Sequence, residues 1–209
     1  MTKDYRNTQY CPTLENVTDK KQELQNEIEK NHPKQRNMYN KIHDRKSPYN
    51  QKFAEIYNRK CGYCGVSMDV LPVQMFEVDH FIAESRFGNK DEAGKVENLV
   101  LACYQCNRNK KDFGLVDEYT EKLCPDEGEI SNVFYRDEDY YIRIKDDYKD
   151  DETIKEFYDK TKLIHQTRRL DYLLMNMKGL HRRIMGTDQG GKLAEAILFL
   201  QEKRNKMAI

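Results

Sequence analysis

Cys61-Gly62-Tyr63-Cys64, Glu77-Val78-Asp79-His80, Asn98-Leu99-Val100-Leu101 and Cys103-Tyr104-Gln105-Cys106-Asn107 follow one another in the middle of this chain. Two Cys-x-x-Cys pairs bracket an Asp-His dipeptide. Four thiolates from two such pairs are the donor set of a closed tetrahedral zinc site with a structural role. Gly62 and Gly65 permit the tight turn that gathers the first pair. The gap from Cys64 to Cys103 exceeds that of a simple zinc ribbon and points to an inserted functional element. Reduced unliganded thiols and disulfides are the alternatives to zinc. Structural zinc contributes folding free energy directly, so its loss is expected to unfold residues 60–113.

Between the pairs, residues 75–82 read as a strand. Phe76, Val78 and His80 alternate with Glu77, Asp79 and Phe81. Residues 83–97 are polar, contain Gly88 and Gly94, and read as a loop. Residues 99–102 read as a second strand, and the chain turns helical from about Gln105 to Gly114. The order is β, loop, β, α.

Upstream, residues 1–17 read as loosely structured. Thr18 opens a charged helix to Lys30 whose apolar content, Leu24 and Ile28, is thin. A second helix is expected over residues 35–45. A third opens at Ser47-Pro48, with Phe53, Ile56 and Tyr57 at helical spacing. Downstream, residues 132–135 and 140–144 flank Arg136-Asp137-Glu138-Asp139 as a hairpin. Asp151 caps a helix carrying Ile154, Phe157 and Tyr158. The next holds Leu170, Leu173, Leu174, Met177, Leu180 and Ile184 at spacings of three and four, a core-facing stripe. Gly186 and Gly190-Gly191 bound a loop before a last helix with Leu193, Ala196, Ile197 and Leu200.

The 209 residues suit one domain with extensions; 38% are hydrophobic, 34% charged, and none is Trp. That thin apolar supply makes a metal staple a useful supplement to the core. The formal net charge is zero, which excludes a uniformly basic nucleic-acid binder. The charge is nevertheless segregated: roughly +7 over residues 30–60, roughly −10 over 117–159, and roughly +7 from Lys160 onward. Basic flanks can track phosphates, although such runs are also ordinary solvated faces. The N-terminal run has no apolar signal segment and no stretch reaches membrane-spanning length, so a cytoplasmic, reducing compartment is expected. There, paired cysteines bind metal more often than they form disulfides. Cys11 and Cys124 read as free thiols.

Val78-Asp79-His80, Asn98-Leu99 and Cys106-Asn107-Arg108-Asn109-Lys110 together resemble the three parts of an HNH endonuclease motif, of the His-Me finger superfamily. The resemblance covers residues 50–115 at most and rests on order, spacing and cysteine bracketing together. It implies an α+β fold: a zinc-stabilised ββα-metal core with mainly helical N- and C-terminal extensions. It also implies a structural Zn2+ on Cys61, Cys64, Cys103 and Cys106, and a catalytic Mg2+ or Mn2+ on Asp79 and Asn107. His80 would be the general base, and Asn98 would hold the loop that positions it. The products would carry 5′-phosphate and 3′-hydroxyl ends. Arg108, Lys110 and Lys111 would contact the phosphates of DNA.

The chemistry agrees with those roles. Phosphodiester hydrolysis needs an activated water and charge stabilisation at the phosphate, tasks that suit a neutral imidazole and a hard-oxygen-bound cation. Outside such a constellation, His80 would read as a packed histidine, Asp79 as a turn residue and Asn107 as a helix cap. Glu84 reads as a solvated loop acid rather than a further ligand. The chain departs from common forms of the motif in two places. Asn107 closes it instead of His, which leaves an all-oxygen site favouring Mg2+ or Mn2+. Phe81-Ile82-Ala83-Glu84 follows His80 where many relatives carry a proline.

The expected organisation is a helical extension over 1–49, the nuclease core over 50–115, and a hairpin with helices over 116–209. The helical arms resemble HNH effectors of bacterial anti-phage defence, some of which act beside an ATPase, and residues 151–209 would dock such a partner or a second copy. A restriction or mobile-element enzyme is another role. The rival classes are a zinc-stabilised module that binds nucleic acid or protein without cutting, and a metal-free interaction protein using the acidic hairpin region.

Overall fold

The computed structural model describes residues 3–114, 117–126 and 128–207. Ten α-helices and four short strands occur among these residues. The central unit is the expected ββα: β1 (Phe76–His80) pairs antiparallel with β2 (Leu99–Cys103), and α5 (Tyr104–Lys110) follows directly. The register runs from Phe76 opposite Cys103 to His80 opposite Leu99. All of β2 is buried, so the strand reads as a continuous apolar run rather than an alternating one.

Three helices precede this unit: α1 (Val17–Asn31), α2 (Tyr39–Ile42) and α3 (Pro48–Ile56). Ser47 caps α3 by accepting from the Tyr49 amide at 3.2 Å, with Pro48 in the first turn, as the sequence suggests. The segment expected to be helical over 35–45 holds only the single turn of α2. Asn37 donates its side-chain amide to Lys90 O at 2.6 Å, tying this stretch to the β1–β2 connection instead. α1 packs better than its two apolar residues suggest. Lys21 is buried beside Val17, Leu24 and Ile28, and its ammonium reaches Leu99 O at 2.8 Å, Glu97 O at 3.0 Å and the Asp126 carboxylate. Lysine stems can cover apolar surface in this way.

The β1–β2 connection is not featureless either. It contains α4 (Lys90–Ala93), capped by Asn89, which accepts from the Glu92 amide at 2.9 Å.

After α5 come α6 (Asp117–Lys122), α7 (Ile130–Val133), the hairpin of β3 (Phe134–Arg136) and β4 (Ile142–Ile144), then α8 (Glu152–Lys160), α9 (Gln166–Ile184) and α10 (Asp188–Asn205). Asp151 caps α8 through the amides of Thr153 and Ile154. The expected loop around Gly190-Gly191 shrinks, because Thr187 accepts from the Gly190 amide at 3.0 Å and starts α10 before the glycines.

One buried cluster runs from Tyr5 through the cysteines to Ile197, and so draws on both flanks as well as the centre. The N-terminal segment, expected to be loose, is part of it. Arg6 is 1% exposed and donates through Nη1 to Gly62 O and Pro125 O, each at 2.6 Å, while Asp4 pairs with its guanidinium at 2.7 Å. The expected boundary at 115–116 falls outside the described residues, as does Ile209. No helix among the described residues is long and apolar enough to cross a membrane.

Candidate metal centre and active site

The first Cys-x-x-Cys pair sits in a turn closed by two backbone bonds, Cys61 N to Val66 O at 2.8 Å and Gly65 N to Cys61 O at 2.9 Å. Gly65 has φ +79, and a Cβ there would lie 2.7 Å from the Arg6 backbone. Gly62 is small for a different reason: a Cβ there would meet Val100 at 2.7 Å, where its amide reaches Leu101 O. The second pair spans the end of β2 and the first turn of α5. All four cysteines are buried, and their Sγ atoms lie within 4.8 Å of one another. Cys64 Sγ and Cys103 Sγ are 3.8 Å apart, the edge of a tetrahedron with metal–sulfur bonds of about 2.3 Å. Donor type, count, burial and spacing therefore fit a structural zinc ion. Cys11 and Cys124 stand apart from this cluster, half-buried and in no disulfide.

β1 and α5 arrange the other candidate residues. Successive strand residues face opposite sides, so Glu77 and Asp79 lie toward α5 while His80 faces α2. Asp79 is buried, and its Oδ2 accepts from the Tyr63 hydroxyl at 2.6 Å and pairs with Lys110 Nζ at 3.2 Å. Burial pushes this carboxyl up to about 6, although Lys110 and Tyr63 pull it down. Asn107 Nδ2 donates to Glu77 Oε2 at 2.7 Å, and Arg108 Nη2 donates to Glu77 Oε1 at 2.8 Å. These bonds engage Asn107 Nδ2 and Asp79 Oδ2, and Asn107 Oδ1 and Asp79 Oδ1 are the oxygens that could hold a cation here.

Among the described residues, the four cysteines are the only group of three or more His, Cys, Asp or Glu close enough to share an ion. A cation at Asp79 would therefore have few protein ligands. That fits Mg2+, which keeps waters and takes substrate phosphate oxygens.

The His80 ring is half-buried, and burial holds it below its ordinary value against the pull of Glu84. That shift favours the neutral form of the imidazole. It packs on Tyr39 with centroids 4.5 Å apart, and Tyr39 stacks on His43 at 4.6 Å. Nε2 of His80 is buried without a partner among the described residues. The loop after His80 is held by Asn98, which is buried. It accepts from the Ile82 amide at 2.8 Å and donates to Ile82 O at 3.0 Å and Ala93 O at 2.9 Å. Asn98→Ala would remove the side-chain partner of three backbone groups, the buried Ala93 O and the partly buried Ile82 N–H and O. A buried group left unpaired costs about 1–3 kcal/mol, so a clear drop in urea midpoint is expected, with any loss of function following from the displaced loop.

One expected phosphate contact does not hold. Lys110 is fully buried, and its ammonium bonds His80 O at 3.0 Å and Phe81 O at 3.3 Å besides Asp79. The lysine braces the active strand from inside. Arg108 and Lys111 remain at the surface. Glu84 is partly exposed and pairs with Lys90 at 3.4 Å, as a solvated loop acid.

Sequence reading missed three residues here. Glu77 stands two positions before Asp79 on the same strand face, a signal that was legible. Tyr63, inside the first cysteine turn, and Tyr39, some forty residues away in sequence, gave no comparable signal.

Residues 61–113 match the family model described as HNH endonuclease. No curated protein and no solved structure matches the chain.

Proposed function

Starting from an HNH endonuclease domain over residues 61–113, we propose that this protein is a metal-dependent endonuclease that hydrolyses phosphodiester bonds in DNA. The observation that carries the reading is the face of β1 and α5. There, β1 carries the buried Asp79 and ends in the half-buried His80, and α5 carries Asn107, anchored through its amide to Glu77 of β1. Binding alone gives no reason for that set.

In this reading His80 takes the proton from the attacking water. Tyr39 fixes the plane of its ring, and Asn98 fixes the loop beyond it. Asp79 and Asn107 hold Mg2+ or Mn2+ through oxygen atoms. When bound, that cation stabilises charge on the phosphate and the leaving oxygen. Lys110 partly neutralises Asp79, and Arg108 and Lys111 hold flanking phosphates. The core spans about 50–115, with helical extensions over 1–49 and 116–209.

A role in bacterial defence or restriction, in the cytoplasm and beside an ATPase or another defence protein, is the biological setting we favour. It rests on the resemblance of the helical arms to those of defence effectors. α10 supports a docking role for the C-terminal helices, toward a partner or a second copy, because Leu198 and Phe199 are 66% and 70% exposed on it.

The test is incubation of purified, zinc-loaded protein with supercoiled and linear DNA, with and without added Mg2+ or Mn2+. Cutting that requires the added cation supports the reading. A folded, zinc-loaded protein that binds DNA without cutting, under every cation and with candidate partners present, points to the non-catalytic binding module.

A further inference from the structure

Beyond the ligands themselves, a buried cation lies against the cysteine cluster. Arg168, in the first turn of α9, is 1% exposed. Its Nη2 donates to Cys106 Sγ at 3.4 Å and its Nη1 to Cys103 Sγ at 3.7 Å, across more than sixty residues of chain. Nη2 also reaches Thr161 O at 3.2 Å, and Nε reaches Lys162 O at 3.2 Å. Thr161 O itself lies 3.5 Å from Cys106 Sγ. The guanidinium thus serves two electron-rich atoms that would otherwise face each other. Nη1 also lies 3.8 Å from the Asp171 carboxylate, and Arg204 of α10 meets Asp171 at 2.8 Å. Charges alternate from the thiolates through Arg168 and Asp171 to Arg204.

Four thiolates around one divalent ion carry a net charge of −2, and all four are buried. Such a charge is costly unless a counter-charge and hydrogen bonds accompany it. We infer that Arg168 is a positioning residue for the four-cysteine metal site. It balances the thiolates' charge and orients two of them, so that metal retention depends on the docking of α9. The inference rests on the reading of the cluster as a zinc site. Outer-shell partners of this kind typically change metal affinity by about 10- to 100-fold. The sequence hid the residue inside a basic C-terminal run that reads as a solvated face.

The experiment follows zinc release from the intact protein to a chromophoric chelator under native conditions, together with the thiolate-to-metal charge-transfer band of the Co2+-substituted protein. Arg168→Met is expected to release zinc about 10- to 100-fold faster and to shift that band. Arg168→Lys, which keeps the charge without the two-pronged geometry, is expected between it and the parent. Arg204→Met weakens the packing of α10 on α9 while leaving Arg168 on both sulfurs, and it should lower the melting temperature while leaving the release rate within about twofold of the parent. A folded Arg168→Met protein with the parental release rate and band position would overturn the inference. If Arg168→Met does not fold, parental values for Arg168→Lys overturn it. A parent protein that holds no zinc overturns the zinc reading itself, and this inference with it.

Discussion

Replacing His80 with alanine is expected to lower cation-dependent DNA cutting by about 10²- to 10⁴-fold, the usual contribution of a positioned general base, while fold and zinc content persist. Both halves of that expectation come from position. The His80 side chain sits at the end of β1, half-buried, and its main structural contact is the face of Tyr39. Its backbone carries the local structure. His80 O accepts from Lys110, and the strand register opposite Leu99 involves main chain only. Truncation therefore removes one ring contact and leaves the ladder intact, so a stability loss of about 1 kcal/mol is expected. Cutting rates on supercoiled DNA, measured beside a thermal melt and a zinc assay, check it. Undiminished cutting by His80→Ala would remove the assignment of the base.

The second large effect is on folding. Chelating the zinc, or replacing Cys61 with serine, is expected to abolish the cooperative melt. Structural zinc binding supplies about 10–16 kcal/mol in small metal domains, as much as the whole stability of an ordinary domain, about 5–15 kcal/mol. The loss should spread beyond residues 60–113. Arg6 bonds the carbonyl of Gly62, Tyr5 donates to Tyr63 O, and Arg168 bonds Cys103 and Cys106. The N-terminal segment and α9 thus have partners that exist only while the cysteine turns are in place. Circular dichroism and amide hydrogen exchange, with and without chelator, check this. Full helicity and an unchanged melting temperature after zinc removal would overturn the structural role. His80→Ala and Cys61→Ser should differ sharply in the melt, since one removes a reacting group and the other a scaffold bond.

Much of this arrangement was legible in the chain itself, and the reason differs from place to place. The cysteine spacing announces a metal site because two x-x turns bring paired thiolates within reach of one ion. The alternation over 75–82 announces a strand because side chains on a strand alternate between faces, and the short apolar run over 99–102 announces another because a strand covered on both faces is apolar throughout. The caps at Ser47 and Asp151 were visible because a short polar side chain before a helix has one obvious use. The second helix was over-read, since nothing local shows that the Asn37 side chain reaches across to Lys90. Lys110 was misplaced for a related reason. A lysine in a basic run looks solvent-facing, and its burial requires acceptors that His80, Phe81 and Asp79 supply only after folding.

By itself, then, the sequence displayed the paired cysteines and the order of strands and helix, written in spacings of a few residues, and the resemblance carried by those motifs named the candidate reacting groups. Tertiary structure alone decided what surrounds those groups. It put Tyr39 against His80, Tyr63 and Lys110 against Asp79, Glu77 between Asn107 and Arg108, and Arg168 against the thiolates. Burial of a polar or charged group demands partners, and packing recruits them from whichever part of the chain comes near, at separations that no local pattern records.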